Sequence, residues 1–168
     1  MNKRLLLAAY LGLALASVSA AQTPFSGTLQ CTPPSPAYTV DIPDWPGHSA
    51  LLQQTSCMWT EQVQVGPTKT LQSIGVLSAD VTPTKLAGGG TNVTTMGNGD
   101  MMVMTFRTVA SMKNTIPQSS QGTFTITGGT GQMSGITGTG TISGLFNTDG
   151  SATYHFQGQY VLPKPAGQ

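Results

Sequence analysis

Two neighbouring stretches decide the fold of this 168-residue chain: Gly122–Gly131, which reads GTFTITGGTG, and Gly135–Gly144, which reads GITGTGTISG. In both, β-branched or aromatic residues alternate with small or polar ones, which is the pattern of a strand with one buried face. The glycine-rich end of the first stretch is typical of a tight hairpin turn. The two stretches therefore predict a pair of antiparallel strands.

The same pattern recurs along the rest of the chain. No segment beyond residue 21 has a sustained apolar period of 3.6 residues, and the 21 glycines argue against helices. Short turns rich in Gly, Pro, Asn and Asp separate the apolar runs. Eight strands are predicted, at Phe25–Gln30, Gln53–Val65, Thr70–Val81, Thr91–Met96, Met101–Ala110, Gly122–Thr127, Ile136–Ser143 and Ser151–Leu162.

These strands predict an all-β fold, an eight-stranded antiparallel up-and-down barrel, because closure leaves no unpaired sheet edge. A two-sheet sandwich is the second architecture. An outer-membrane barrel is the third, but it needs an outward apolar band, and strands so rich in Thr, Gln and Gly do not supply one. The interior of an eight-stranded barrel is either just filled or holds one small ligand.

Residues 1–21 have the features of a secretory signal peptide. Lys3 and Arg4 precede an apolar run, Leu5–Ala16, and small residues end the segment. The run is shorter than the roughly 20 residues that span a bilayer. Export to the periplasm or the extracellular space is therefore expected, with residues 22–168 as a single barrel domain and no membrane span after cleavage.

The charge of the chain excludes one class of partner. Cleavage after residue 21 removes two of the seven basic residues and leaves six acidic ones, and the remaining Lys and Arg side chains are scattered. Binding to nucleic acid requires clustered basic groups that displace counterions from phosphates. No nucleic-acid partner is expected.

Cys31 and Cys57 are the only cysteines, and in an exported protein they are expected to form a disulfide. Closing a loop of this length stabilises a fold by roughly 3 to 4 kcal/mol in the chain-entropy model. A proline-rich segment, 32–49, lies between the two cysteines. It is predicted to be an ordered loop because proline cannot donate a hydrogen bond to a sheet ladder. A lid and a surface crossover are the two interpretations of this loop.

Glu61 is the most unusual side chain of the predicted strands. Strict alternation places it on the same face as Trp59 and Val63, which should be the interior. A carboxylate there would be desolvated, which raises its pKa and makes it a candidate catalytic acid or base. Arg107 is the candidate partner cation. A solvated position for Glu61 at the barrel mouth, or a structural ion pair with Arg107, is the alternative.

No cofactor and no metal site are expected. His48 lies in the proline-rich segment, where it could cap a pocket, and His155 lies on the polar face of its strand. Two separated histidines make no metal motif. The methionines between Met96 and Met133 could bind Cu(I), but those within one strand point to opposite faces, so packing in a core or a cavity wall is the favoured interpretation.

The stretches quoted above, with Gly99-Asp100 before them and Gly158-Gln159-Tyr160 after them, resemble the C-terminal half of the allene oxide cyclase-like and dirigent-like barrel superfamily. They are particularly similar to exported bacterial members with no known activity. The resemblance covers about 60 residues and does not include the proline-rich segment. It implies an eight-stranded barrel with a central cavity, and it permits an isomerase or cyclase without requiring one.

The leading hypothesis for function is an exported protein that binds a small apolar ligand in the barrel. Glu61 and Arg107 would orient the ligand, and the remaining wall is expected to consist of Trp59, Val63, Met102, Met104, Phe106 and Phe124. The pattern leaves open which face of the strand Met101–Ala110 is interior, and Arg107 lies on the face opposite Met102, Met104 and Phe106. One alternative is an isomerase or cyclase of the allene oxide cyclase type that uses Glu61 as its charged group. Another is a filled structural or interaction barrel that acts through its loops.

Overall fold

The computed structural model describes residues 21–163. The predicted signal peptide lies outside the described residues except for its last position. The strands are β1 Thr23–Cys31, β2 Ala37–Asp41, β3 Ser49–Trp59, β4 Gln64–Val65, β5 Thr68–Val81, β6 Lys85–Met96, β7 Met101–Lys113, β8 Ile116–Gly129, β9 Thr137–Phe146 and β10 Ala152–Val161.

Eight of these strands close into a barrel. Going round it, the order is β1, β3, β5, β6, β7, β8, β9 and β10, and β10 pairs with β1 to complete the ring. Every pair is antiparallel. The predicted all-β barrel is therefore confirmed, and the two-sheet sandwich is excluded. The short strands β2 and β4 lie beside β3 and β5 and extend the sheet.

Alternation along each strand determines which side chains point into the barrel. On β7 the even-numbered residues Met102, Met104, Thr108 and Ala110 are buried, while the odd-numbered ones are exposed or half-buried. The same period of two holds on β1, β9 and β10, and on β5 to either side of an irregularity between Thr70 and Gln72. The barrel therefore has an inward face made by every second residue, as a closed sheet requires.

The disulfide lies where the ring has its shortest seam. β1 and β3 meet over only three residue pairs, and the last of these joins Cys31 directly to Cys57. The two sulfur atoms are bonded, which confirms the predicted disulfide. The covalent bond thus reinforces the pairing that closes the barrel with the fewest ladder hydrogen bonds.

The proline-rich segment 32–49 is not entirely a loop. Its middle forms β2, which continues along β3 beyond the point where β1 ends, with Ala37 opposite Gln53 and Asp41 opposite Ser49. The prediction missed this strand because prolines flank it on both sides. Between Ala37 and Asp41 there is no proline, so the ladder with β3 can form.

One half of the barrel interior is filled by large side chains. Phe25, Trp59, Phe124 and Phe156 pack with ring centroids 5.3–5.8 Å apart in tilted or edge-to-face arrangements. Gly140 permits this, because a Cβ at that position would lie only 2.5 Å from a ring carbon of Phe124. The filled half also contains Val63, Val65, Met96, Met102, Met104, Ile126, Met133, Ile136 and Tyr160, and Leu29 lies at its boundary with the cavity.

Candidate functional site

The other half of the barrel contains a cavity of about 370 Å³. It extends from the level of Phe106 and Phe156 towards the end of the barrel where β7 and β8 form a hairpin. We call this end the cavity half. Its apolar wall includes Leu29, Leu51, Leu77, Val81, Leu86, Phe106, Ala110, Met112, Ile142, Phe146, Ala152 and Phe156.

Small residues create this space. Ala110 on β7, Ala152 on β10, Gly75 on β5 and Ser120 on β8 all have buried inward positions at which a larger residue would fill the barrel. On the same strands, the filled half has Met102, Tyr160 and other large residues at the equivalent inward positions. The cavity therefore results from side-chain size, since both halves belong to one continuous ring of strands.

The cavity wall is neutral. Among the described residues, the side chains that line it include no Asp, Glu, Lys, Arg or His. Its polar groups come mainly from Gln53, Asn92, Thr108, Ser120 and Tyr154. Burial raises the pKa of the Tyr154 phenol to about 12, so this group stays protonated across the physiological range. The site can therefore offer hydrogen bonds to a ligand but no counter-charge.

The mouth of the cavity is bordered by two segments. Thr32, Pro34 and Thr39 of the proline-rich segment lie on one side, and Thr115 and Pro117 from the β7–β8 hairpin lie among the other lining residues. Of the two interpretations of the proline-rich segment, a lid and a crossover, its residues at the mouth fit the lid better.

His48 anchors the end of the proline-rich segment to the barrel wall. Its Nδ1 lies 2.6 Å from Asp44 Oδ1, and its Nε2 lies 2.5 Å from Oδ1 of Asp80 on β5. The Trp45 ring stacks on the imidazole with centroids 4.1 Å apart. The hydrogen bonds that His48 donates to Asp44 and to Asp80 raise the pKa of the imidazole, because both carboxylates favour the imidazolium form. His48 itself does not line the cavity, but the adjacent Ser49 does.

The predicted ligand-binding residues divide between the two halves. Phe106 lines the cavity. The other five are buried, but they pack in the filled half: Trp59, Val63, Met102, Met104 and Phe124. The prediction identified inward-facing residues without distinguishing depth along the barrel, so the cavity wall differs from the one expected.

The prediction that Glu61 faces the interior is wrong. β3 ends at Trp59 and the chain bends at Thr60 and Glu61, which turns the carboxylate outwards before Val63 returns to the interior. Glu61 is exposed and accepts a hydrogen bond of 3.1 Å from Thr28 Oγ1. Strict alternation failed here because it assumed a continuous strand from Gln53 to Val65.

Arg107 does not meet Glu61 either. It lies on the outward, odd-numbered face of β7 and is exposed, opposite Gly89 of β6 and Thr123 of β8. Among the described residues the recorded ion pairs are those of His48, and neither Glu61 nor Arg107 lines the cavity. The expected catalytic pair is therefore not assembled inside the barrel.

The remaining candidates, His155 and the methionines, make surface or packing contacts. His155 is exposed, and its Nδ1 lies 3.1 Å from Thr28 Oγ1. Met96, Met102, Met104 and Met133 are fully buried in the filled half, as the packing interpretation expects. Within residues 21–163, no group of three or more His, Cys, Asp or Glu side chains is arranged to hold a metal ion, and no helix is long and apolar enough to cross a membrane.

None of the cavity's main polar residues was predicted from sequence, and Ser120 and Tyr154 show why. Ser120 was missed because the strand was expected to begin at Gly122, whereas β8 begins at Ile116. Tyr154 lies on a correctly predicted strand, but it was not considered as a site residue. The available signal was a run of small inward residues near one end of several strands, visible only once the register is known.

The fold and the site together define the class of protein: a closed β-barrel with a neutral cavity at one end. No protein-family model matches the chain, and no curated protein matches it. Among solved structures it is similar to the pterocarpan synthase dirigent protein PsPTS1, with a TM-score of 0.50 and 14% identity over 86% of this chain and 97% of that one.

A second solved structure, the pterocarpan synthase dirigent protein GePTS1, gives a TM-score of 0.47 and 16% identity over 92% of this chain and 98% of that one. At such low identity, similarity to PsPTS1 establishes the fold alone. The chain therefore shares the closed β-barrel fold of this dirigent protein, which confirms the eight-stranded barrel that the sequence resemblance implied.

Proposed function

We propose that this protein is an exported barrel that binds a small, neutral and largely apolar molecule in its cavity. One observation carries the proposal: a chamber of about 370 Å³ whose lining includes no charged side chain within residues 21–163. Ligand pockets of proteins have volumes of about 300–1,000 Å³, with mainly apolar walls and a few polar groups that fix orientation. The chamber falls within that range and has that composition.

The neutral wall supports a neutral ligand. An ion transferred from water into an apolar chamber loses its hydration, and it is stable there only when an opposite charge or several hydrogen bonds replace the lost water. The polar lining groups include the hydroxyls of Thr108 and Ser120 and the amide of Asn92. These groups orient a neutral polar substituent, but they do not compensate a full charge.

Two observations support export. The cysteines form a disulfide, a bond that persists mainly in oxidising compartments. The first 21 residues have the composition of a signal peptide. Together they favour the periplasm or the extracellular space as the place where the ligand is met.

The alternatives have weaker support. A cyclase that uses Glu61 as a charged group in a dry pocket has lost its physical basis, because Glu61 is exposed outside the barrel. A completely filled structural barrel is incompatible with a cavity that occupies one half of the interior.

Fluorescence titration with N-phenylnaphthylamine, a neutral aromatic probe, tests the proposal. We expect a saturable increase in fluorescence with the wild-type protein at a stoichiometry near one probe per chain. Ala110→Phe places a ring in the cavity, since Ala110 is 1% exposed and points inwards. This variant is expected to lose probe binding while it keeps the β-sheet circular dichroism spectrum.

Val109→Phe is the matched control. Val109 neighbours Ala110 on β7 but points outwards and is 48% exposed, so the same added ring leaves the cavity unchanged. This variant should bind the probe as the wild type does. Absence of saturable binding to the wild type, or equal binding by folded Ala110→Phe, would overturn the proposal.

A further inference from the structure

The Ser120 hydroxyl has an unusual position in the cavity half. The residue is 4% exposed and lines the cavity. Within the part of the chain that the structure describes, its Oγ is the buried side-chain oxygen or nitrogen atom that lacks a hydrogen-bond partner. A buried hydroxyl without a partner costs free energy, and alanine at this position would avoid that cost.

The polar groups of the filled half contrast with Ser120. The Trp59 indole N–H donates to Ser73 Oγ over 2.9 Å, and the Ser73 and Thr94 hydroxyls are 2.7 Å apart. Thr94 Oγ1 in turn donates over 3.2 Å to Oδ1 of Asn92, which borders the cavity. Buried hydroxyls are thus hydrogen-bonded where the barrel is filled, whereas Ser120 is left unpaired beside the cavity.

The wall around Ser120 is closely packed. Gly144 on β9 lies directly opposite both Ser120 on β8 and Tyr154 on β10. A Cβ at position 144 would lie 2.5 Å from Ser120 Oγ and 2.6 Å from Cε1 of Tyr154. The glycine therefore allows the serine hydroxyl and the edge of the aromatic ring to occupy the same small area of the wall.

We propose that Ser120 Oγ is the hydrogen-bonding anchor of the cavity, and that it donates to a neutral acceptor, such as a ketone carbonyl, carried by an otherwise apolar ligand beside the Tyr154 ring. This inference rests on the proposed function and specifies its ligand class. An uncharged carbonyl fits because it satisfies the free O–H without bringing a charge into the neutral wall. The adjacent ring supplies an apolar surface for the carbon skeleton.

The test compares two probes that differ by one carbonyl group, benzophenone and diphenylmethane. Each displaces N-phenylnaphthylamine from the wild-type protein, and the ratio of their dissociation constants is measured. We expect Ser120→Ala to change this ratio by about 3- to 10-fold against benzophenone, because a neutral hydrogen bond typically contributes that much. Use of the ratio removes the difference in hydrophobicity between the probes.

Ser119→Ala is the matched control, because Ser119 is the exposed neighbour of Ser120 on β8 and does not line the cavity. It should leave the ratio unchanged. The second readout is thermal stability without ligand: Ser120→Ala should match or exceed the wild-type melting temperature, since it removes an unpaired hydroxyl. A merely structural serine would instead give a lower melting temperature and an unchanged ratio.

The outcomes separate the two levels of the proposal. If both compounds bind and Ser120→Ala leaves their ratio unaltered, the anchor is disproved while the ligand-binding cavity stands. A clear fall in the melting temperature of ligand-free Ser120→Ala also counts against the anchor. If neither compound nor the fluorescent probe binds to the wild type, the proposed function fails and the anchor fails with it.

Discussion

The two halves of the barrel are built from the same strands but have opposite interiors. On β8, Phe124 and Ile126 fill one half, while Ser120 borders the cavity in the other. On β7, Met104 lies in the filled half and Ala110 in the cavity half. Alternation fixes which side chains point inwards. The size of those side chains then decides whether the interior is core or chamber.

The comparison also separates stability from binding. In the filled half, large side chains are in mutual contact, and the buried hydroxyls of Ser73 and Thr94 are hydrogen-bonded. In the cavity half, the apolar wall borders empty space and Ser120 Oγ lacks a partner. Because attractive contacts between close-packed atoms add up, the filled half is expected to contribute most of the packing energy of the core. Functional sites commonly lie beside a rigid, well-packed region such as the filled half, and the site itself is less stable than that region.

The largest expected effect comes from truncating a ring in the filled half. Phe124→Ala should lower the free energy of unfolding by about 3–5 kcal/mol, because Phe124 is 2% exposed and leaves a void among packed rings. Phe106→Ala should cost less, roughly 1–2 kcal/mol, because its ring already borders the cavity. Urea denaturation of both variants measures the difference. Equal losses would remove the distinction between the halves.

Removal of the disulfide should have the next largest effect. Cys31 and Cys57 close the seam between β1 and β3, which is only three residue pairs long. The double variant Cys31→Ser, Cys57→Ser should lose about 3 kcal/mol of stability, according to the chain-entropy model. Denaturation with and without a reducing agent checks this. The reductant should destabilise the wild type and leave the double variant unaffected. If the stability of the wild type is unchanged after complete reduction, the predicted contribution of the disulfide is refuted.

A smaller, pH-limited effect is expected where His48 joins the proline-rich segment to β5. Asp44 and Asp80 raise the pKa of His48 in the folded protein above its ordinary value of 6.5. The stabilisation from protonated His48 is therefore fully present below pH 6.5 and is lost as the pH rises through the raised folded pKa. Melting temperatures should fall over that upper range in the wild type.

His48→Gln tests this directly, because glutamine keeps a hydrogen-bonding side chain but does not titrate. Its melting temperature should lack the decline that the wild type shows above pH 6.5. Asp44 sets the lower pH limit of this stabilisation. Burial raises the pKa of its carboxyl, but the hydrogen bonds from His48 and the Trp45 N–H outweigh burial and lower the pKa below its ordinary value of 3.8. A variant that retains the full decline would show that another group is responsible.

The smallest effect is expected for Glu61→Gln. Glu61 is exposed, and its hydrogen bond to Thr28 Oγ1 is at the surface. Substitutions at such positions usually change stability by less than about 0.5 kcal/mol. Affinity for N-phenylnaphthylamine should equal that of the wild type. A marked loss of binding would restore the hypothesis that Glu61 belongs to the site.

Much of the fold could be predicted from the sequence, because a two-residue period and glycine-rich turns are local signals. The strand Met101–Ala110 and its hairpin partner at Gly122–Thr127 were located correctly, although the structure extends both. The prediction failed at the bend after Trp59 and at β2. A bend that reverses the facing of Glu61, and a strand between prolines, depend on tertiary pairing that the sequence pattern does not reveal.

The candidate site was harder to predict, because it depends on depth along the barrel as well as on facing. Trp59, Met102 and Phe106 were all expected in the cavity wall. In the structure Trp59 and Met102 are buried in the barrel, and Phe106 is partly buried against the same cluster. Only the register of the strands shows that Phe106 lies at the cavity and Trp59 in the filled half. Register is a non-local property, fixed by packing of the completed ring.

The most direct test of the account uses isotope-labelled methionine methyl groups as NMR reporters. Met112 lines the cavity, whereas Met102, Met104 and Met133 are fully buried in the filled half. When N-phenylnaphthylamine is titrated into the wild-type protein, the Met112 resonance should shift saturably, and the other three should move little. If the Met102 and Met104 resonances shift while Met112 stays fixed, or if none responds, the division into a filled half and a binding half is wrong.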